Sequence, residues 1–207
     1  MADKKRIRFH PRSEPGKALK KWHGSLENNR GDRAALRKCA SPVDVVFVPA
    51  YHALFQDMAE VGKAAVETGE ISWTWPGLER RLRERLPAIA GLVALVKADE
   101  PRTKEEESAA NPEEAEAETA TTRRNFPKQM GSERTSGGGA VVSGLRFRRL
   151  LKCQTPEELY PMLRRTIRLL NNRADLYSLA NDVLYWDEDV RKQWAYDYYS
   201  VAPQETD

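Results

Sequence analysis

Cysteine is scarce in this chain, and its scarcity excludes whole classes of function. Only Cys39 and Cys153 occur, far apart in sequence, too few for a disulfide framework. The three histidines, His10, His23 and His52, are scattered, and none has a cysteine or carboxylate partner at metal-ligand spacing. No metal and no cofactor is therefore expected. A glycine-rich loop between a strand and a helix is also missing, which removes the usual phosphate cradle of nucleotide-binding enzymes. Gly137 to Gly139 lie in low-complexity sequence and read as a hinge. No run of eighteen apolar residues exists, so a membrane-spanning helix is excluded. The basic stretch from Met1 to Arg12 is followed by no apolar region, unlike a secretory signal. A cytoplasmic protein with reduced thiols is the expectation.

Charge is present in abundance, but its balance is deceptive. The formal net charge is +3. From Asp99 to Ala120 nine acids face only Arg102 and Lys104, which leaves the rest of the chain at roughly +10. Met1 to Lys38 alone carries twelve basic residues against four acids. An excess of that kind attracts polyanions, and phosphate contacts are its usual use.

The 207 residues allow one sizeable core or two small lobes. Composition divides them into a flexible basic arm over 1–16, an N-terminal helical lobe over 17–98, a low-complexity acidic and Gly-rich linker over 99–140, a C-terminal helical lobe over 141–202 and a tail over 203–207. No internal repeat is visible. The fold class expected is all-α: two small helical lobes, or a bundle, joined by a disordered acidic linker.

Helix starts carry their own chemistry. Thr155-Pro156-Glu157-Glu158 has the form of a capping box with proline at the first helical position. Ser41-Pro42-Val43-Asp44 has the same form more weakly. Asp175 and Asp187 are suited to N-caps, where a negative charge meets the positive end of the helix dipole. Helical periods follow: Leu78, Leu82, Leu86, Ile89, Val93 and Val96 recur at three- and four-residue steps. Leu159, Leu163, Ile167 and Leu170 do the same, then Leu176, Leu179, Val183 and Trp186, then Val190, Trp194 and Tyr198. The short run Val43 to Val48 alternates like a strand, but Pro49 argues against a central one.

The acids Glu157, Glu158, Asp187, Glu188 and Asp189 cluster at helix starts, where capping accounts for them without catalysis. Basic residues are the stronger signal. Arg33, Arg37 and Lys38 lie about one turn apart on a helix whose apolar side carries Leu36. Arg146, Arg149 and Lys152 repeat at three-residue steps, while Phe147, Leu150 and Leu151 face inward. Arg164 and Arg168 share a face with Arg165 beside them, and Arg191 and Lys192 sit on the last helix. A solvated surface is the plain account of any one of these. Arg33/Arg37, Arg146/Arg149/Lys152 and Arg164/Arg168 lack acids at the compensating helical positions, and as a group they point to a phosphate-tracking surface. Trp186 and Trp194 fall on apolar faces and read as core, whereas Trp73 and Trp75 are expected to be partly exposed.

The segment VVSGLRFRRLLKCQTPEELYPMLRRTIRLLNN, Val141 to Asn172, resembles the CasB family, the small subunits of the type I-E CRISPR Cascade complex. ADLYSLANDVLYWDEDVRKQWAYDYY, Ala174 to Tyr199, resembles the same family. The shared pattern is a basic LRFRRLL helix, a helix with an LRR cluster, a leucine-rich helix ending in tryptophan and a closing VRxxWAxDYY helix. The N-terminal part matches more loosely, through Trp22, RAALRKC at Arg33 to Cys39, and the proline-bounded entry to Tyr51. The likeness covers roughly Lys17 to Tyr199 apart from the linker, which is longer than the family's usual connection.

The resemblance implies a helical, non-enzymatic subunit. It also implies two copies arranged head-to-tail beside the repeated backbone subunits that carry the guide RNA, with the large subunit as a further partner. The expected nucleic-acid partners are crRNA, target DNA and the displaced non-target strand of the R-loop; no membrane is involved. The positions matching the family's basic residues are Arg37, Lys38, Lys152, Arg164, Arg165, Arg191 and Lys192. Arg33, Arg149 and Arg168 are added from spacing alone. The alternative is a helical protein–protein scaffold whose arginine faces bind acidic partners. A regulator of duplex DNA would need a helix-turn-helix, and a nuclease would need carboxylates outside capping positions; neither pattern is evident.

Overall fold

The computed structural model describes residues 6–99, 125–135 and 137–203, and these are almost entirely helical, as the periodicities require. In chain order the elements are α1 (Glu14–Asn28), α2 (Arg30–Lys38), α3 (Pro42–Val46), α4 (Pro49–Glu67), α5 (Trp75–Val93), β1 (Ala98–Asp99), α6 (Phe126–Gly131), α7 (Gly144–Lys152), α8 (Pro156–Leu169), β2 (Arg173–Ala174), α9 (Leu176–Leu184) and α10 (Glu188–Tyr199). The strands are two-residue pieces paired in parallel, Ala98 with Arg173 and Asp99 with Ala174. The alternating stretch at Val43 forms α3 instead of a strand, started by Ser41 and Pro42. No helix among the described residues is long and apolar enough to cross a membrane.

Helix α5 organises the core. Its early turns bury one stripe, Leu78, Leu82 and Leu86, but from Leu86 to Val96 every residue is buried. A helix that is apolar all round must be covered on all sides. Helices α2, α3 and α4 supply one side, and α8 and α9, from beyond the acidic segment, supply the other. The two helical halves thus meet on a single element. Gly91 allows a close approach: a Cβ there would lie 2.9 Å from Cε2 of Tyr160 on α8. The other forecast stripes are also inside. Leu159, Leu163, Ile167, Leu176, Leu179, Val183, Trp186, Trp194 and Tyr198 are buried, and Leu170 and Val190 are partly buried against the core.

Three details differ from the sequence reading. The arm expected over 1–16 is docked from Ile7 onward, where Ile7 and Phe9 are buried and Arg6, Arg8 and His10 face out. The Asn181 side chain accepts from the Phe9 N–H at 2.9 Å and donates to its carbonyl at 2.8 Å, while Tyr185 donates to the Ile7 carbonyl at 2.7 Å. Of the linker expected over 99–140, residues 100–124 lie outside the described ones. Residues 125–135 and 137–140 are structured, because Phe126 and Met130 on α6 are buried hydrophobic anchors. The strengths of the two capping boxes are reversed. Ser41 and Asp44 form the complete reciprocal pair. Glu158 instead accepts from the Gln154 N–H at 2.7 Å, one residue before the Thr155 cap. Asp175 and Asp187 cap α9 and α10 as expected.

One carboxyl in this packing is far from its ordinary state. Burial of Asp182 on α9 pushes its pKa up to about 7, against the lowering effect of the Trp194 indole and the Ser178 hydroxyl; Asp175 and Asp197 raise it further. In the unfolded chain an aspartate titrates near 4. Between about 4 and about 7 the folded state therefore binds more protons than the unfolded state, and stability falls as pH rises through that window. Asp182→Asn keeps the shape and removes the titration. Its urea unfolding midpoint is expected to vary less with pH than the wild type's across this window, and an unchanged pH dependence would reject the assignment.

Candidate nucleic-acid interface

The basic residues singled out in the sequence sit on α2, α7, α8 and α10. In α7 the buried positions are Gly144, Phe147 and Leu150, so Arg146, Arg148, Arg149 and Lys152 remain exposed. In α8 the core takes Leu159, Tyr160, Leu163, Thr166 and Ile167, which leaves Arg165 and Arg168 exposed and Arg164 half-buried at the edge. Phe147 stacks on Tyr198 of α10 with ring centroids 3.8 Å apart, and this fixes α7 against α10.

The arginines divide into two populations. Arg33, Arg164 and Arg191 are half-buried and turned toward helix ends. Arg33 donates from Nε to the Ala94 carbonyl at 3.3 Å and from Nη2 to the Val96 carbonyl, at the C-terminal end of α5. Arg164 donates from Nη2 to the Arg37 carbonyl at 2.8 Å, in the last turn of α2, and its guanidinium stands 5.5 Å from the Tyr160 ring centroid. Arg191 reaches the Leu151 carbonyl at the end of α7 and the Asp187 carbonyl at the start of its own helix, at 3.4 and 3.2 Å. The last carbonyls of a helix have no partner within it and carry its negative dipole end, so a cation there is favourable twice over. Helical spacing cannot reveal this use, because the partners are backbone atoms of other helices.

The second population faces solvent. Lys38, Arg149, Lys152, Arg165 and Arg168 are exposed, and none is ion-paired among the described residues. Arg37 is half-buried and contributes its carbonyl to Arg164. Lys192 is exposed but pairs with Glu188 at 2.9 Å, which raises the lysine pKa and lowers that of the glutamate. The Arg164 bond joins α8 to the end of α2, so Lys38 and the α8 arginines belong to one junction. The Arg191 bond similarly holds α10 at the end of α7, beside Lys152.

Sequence spacing did not find a third basic group. Arg6 and Arg81 lie 5.4 and 5.7 Å from the Tyr185 ring centroid, and Arg81 lies 5.7 Å from that of Trp73. Residues far apart in the chain meet here only because the N-terminal segment docks on α9. Trp73 and Trp75 are partly buried. The two thiols and the helix-start acids are taken up in packing and capping. Cys39 and Cys153 are free and buried, and burial is the main cause that raises both thiol pKa values. Glu158 and Asp187 are engaged as helix-start acceptors. No group of histidines, cysteines and acids among the described residues is arranged to hold a metal.

Compared with known families, residues 32–199 match the model described as CRISPR-associated protein Cse2. The match begins in α2 and ends at the last residue of α10, so it includes every helix that carries the basic residues described above. Neither the curated proteins nor the solved structures contain a match.

The two arginine populations are separable by stability. Arg33→Ala is expected to cost about 1–3 kcal/mol of unfolding free energy, since it removes the Arg33 bond to the buried Ala94 carbonyl and leaves the Val96 carbonyl to His23 alone. Arg165→Ala is expected to change it by no more than about 0.5 kcal/mol. Chemical denaturation of both variants checks the division; equal losses would contradict it.

Proposed function

The chain belongs to the CRISPR-associated Cse2 family, and from that premise we propose that it binds nucleic acid without catalysis and stabilises the R-loop. Family membership makes it a subunit of the type I-E Cascade complex. In the proposal, its exposed cations contact phosphates of the guide–target duplex or the displaced strand, in the cytoplasm, beside the backbone and large subunits. The observation that carries the reading is the set Lys38, Arg149, Lys152, Arg165 and Arg168. These side chains are exposed and have no acid partner among the described residues, and they stand on helices locked together by arginine caps.

The physical task is modest. R-loop formation exchanges a DNA duplex for a heteroduplex of similar stability, so a few backbone contacts shift the balance. A displaced strand lying on a positive surface has a lower free energy than one left in solution, and re-annealing is disfavoured by that amount. Such contacts read charge and not sequence; guide pairing reads sequence. Rigid mounting of the helices means that little further order is lost when phosphates bind.

A second copy of the chain is part of the proposal. Val43 and Phe47 at α3 are 57 % and 79 % exposed, and Leu145, Tyr196, Tyr199 and Val201 near α7 and α10 are also exposed. Two different apolar surfaces on one chain suit a head-to-tail contact, in which one surface meets the other on the next copy.

The test is binding of the full chain to unrelated single-stranded DNAs across a salt series. Similar affinities for all sequences are expected, with a log-log slope of about −0.7 per phosphate neutralised. The double substitution Arg165→Ala/Arg168→Ala is expected to lower that slope by about 1.4. Strong preference for one sequence, or a slope untouched by the double substitution, would count against the reading. Equal competition by polyglutamate would favour an acidic protein partner instead.

A further inference from the structure

A cleft of about 820 Å³ opens between the 132–141 loop, the start of α7 and the turn after α8. Three guanidinium groups line it, Arg134, Arg146 and Arg173, with Glu133 as the only acid of the lining among the described residues. None of the three arginines is ion-paired among the described residues. Like charges held at one concavity repel each other unless an anion comes between them, and a low-dielectric wall strengthens attraction for that anion.

Each arginine is positioned by local backbone chemistry. Residues 132–135 and 137–141 meet through Val141 N–H to the Ser132 carbonyl at 2.8 Å and an antiparallel bridge between Glu133 and Ala140. Gly137, Gly138 and Gly139 make the reversal with φ of 80°, 78° and 96°, a region that side chains disfavour. Within that loop Arg134 donates from Nε to the Ala140 carbonyl at 3.1 Å. The root of its planar fork is thereby fixed while its terminal nitrogens remain available. Arg173 is delivered by another reversal. Asn171 and Asn172 both adopt left-handed backbone, φ 55° and 60°, held by N–H bonds to the Arg168 and Ile167 carbonyls. Arg146 comes from the first turn of α7, and Arg149 and Lys152 follow it along that helix at three-residue steps.

The cleft lies where two basic faces meet. Arg146 begins the α7 series, while Leu169, which also lines the cleft, directly follows Arg168 of α8. A strand lying along either face is led into this concavity, where a planar guanidinium fork suits two oxygens of one phosphate. Ser132, Thr135 and Asn171 add neutral donors and acceptors to the lining. We propose that the cleft lined by Arg134, Arg146 and Arg173 is a seat for the phosphodiester backbone of a single nucleic-acid strand. The proposal rests on the phosphate-tracking reading of the α7 and α8 faces and assigns that track its deepest contact. The phosphodiester of DNA and that of RNA share the chemistry, so both belong in the test.

The experiment measures binding of the full chain to oligo(dT) and to oligo(U) of equal length at about 50 mM salt, where phosphate contacts are strong. Three double variants are compared with wild type: Arg146→Ala/Arg173→Ala in the cleft, Arg165→Ala/Arg168→Ala on the α8 face, and Arg30→Ala/Arg80→Ala as a charge-matched control at exposed positions elsewhere. Circular dichroism confirms that each variant is folded. The cleft pair is expected to weaken binding about tenfold or more, as loss of charged hydrogen bonds requires, and the control pair less than about threefold. Arg173→Lys, which keeps charge but loses the fork, should fall between wild type and the alanine pair. A larger loss on DNA identifies the displaced strand as the occupant, and a larger loss on RNA identifies the guide; either supports the seat. Equal effects of the cleft and control pairs overturn it as mere net charge. A loss confined to the α8 pair overturns the cleft and leaves the broader reading standing. No binding by wild type to either oligonucleotide overturns both.

Discussion

A helix that ends inside a protein leaves carbonyls that must find donors, and this fold depends on arginines from other helices to provide them. The end of α5 is the severest case, since Ala94, Leu95 and Val96 are all buried. Arg33 bonds the Ala94 and Val96 carbonyls, and the buried His23 ring meets the Val96 carbonyl at 2.9 Å. Without such donors the most apolar part of the core would contain unsatisfied acceptors, each costing about 1–3 kcal/mol. The same device recurs at α2 through Arg164 and at α7 through Arg191. Each of these bonds joins elements distant in sequence, so capping and tertiary docking are one event.

That arrangement explains how a chain rich in positive charge keeps a tight interior. Lysine would serve poorly at these ends. A guanidinium has several donors in a fixed plane and is more weakly hydrated than an ammonium, so it spans two carbonyls and lies against an aromatic ring as Arg164 does. The arginines used this way are withdrawn from the surface, and the remaining cations are presented on helices that cannot shift independently. Structural and binding roles are distributed among neighbours: Arg164 is turned inward, while Arg165 and Arg168 on the same helix face water.

Much of the fold was legible in the sequence, because helical period and capping residues act locally. The stripes beginning at Leu78, Leu159 and Leu176 were visible as spacing and are buried as spacing requires. Less legible was everything decided by distant partners. Ile7 and Phe9 alternate with charged residues over so short a stretch that it takes the distant Asn181 and Tyr185 side chains to make them an ordered segment. The Gly137–Gly139 run resembles a hinge on composition, yet it forms the reversal that brings Arg134 to a cleft. For the candidate interface, the absence of acids at helical neighbours agrees with the exposure of Arg168, which is not ion-paired among the described residues. It could not show the partners of Arg33, which are carbonyls more than sixty residues away. Arg173 carried one local signal, the Asn171-Asn172 pair, whose side chains tolerate left-handed backbone.

The position of α5 in the chain has a consequence for synthesis. This helix emerges from the ribosome early, but α8 and α9, which cover its far side, are made only after the acidic segment has followed. The N-terminal segment waits longer still, since the Tyr185 hydroxyl that holds the Ile7 carbonyl is 178 residues downstream. Closing so long a loop adds little to the equilibrium cost, which grows only as the logarithm of length. Its effect is on order in time. The nascent chain holds an apolar helix with one uncovered side until nearly all of it has been translated. The highly charged stretch that separates the two halves is therefore also the interval during which the growing chain is most exposed to aggregation.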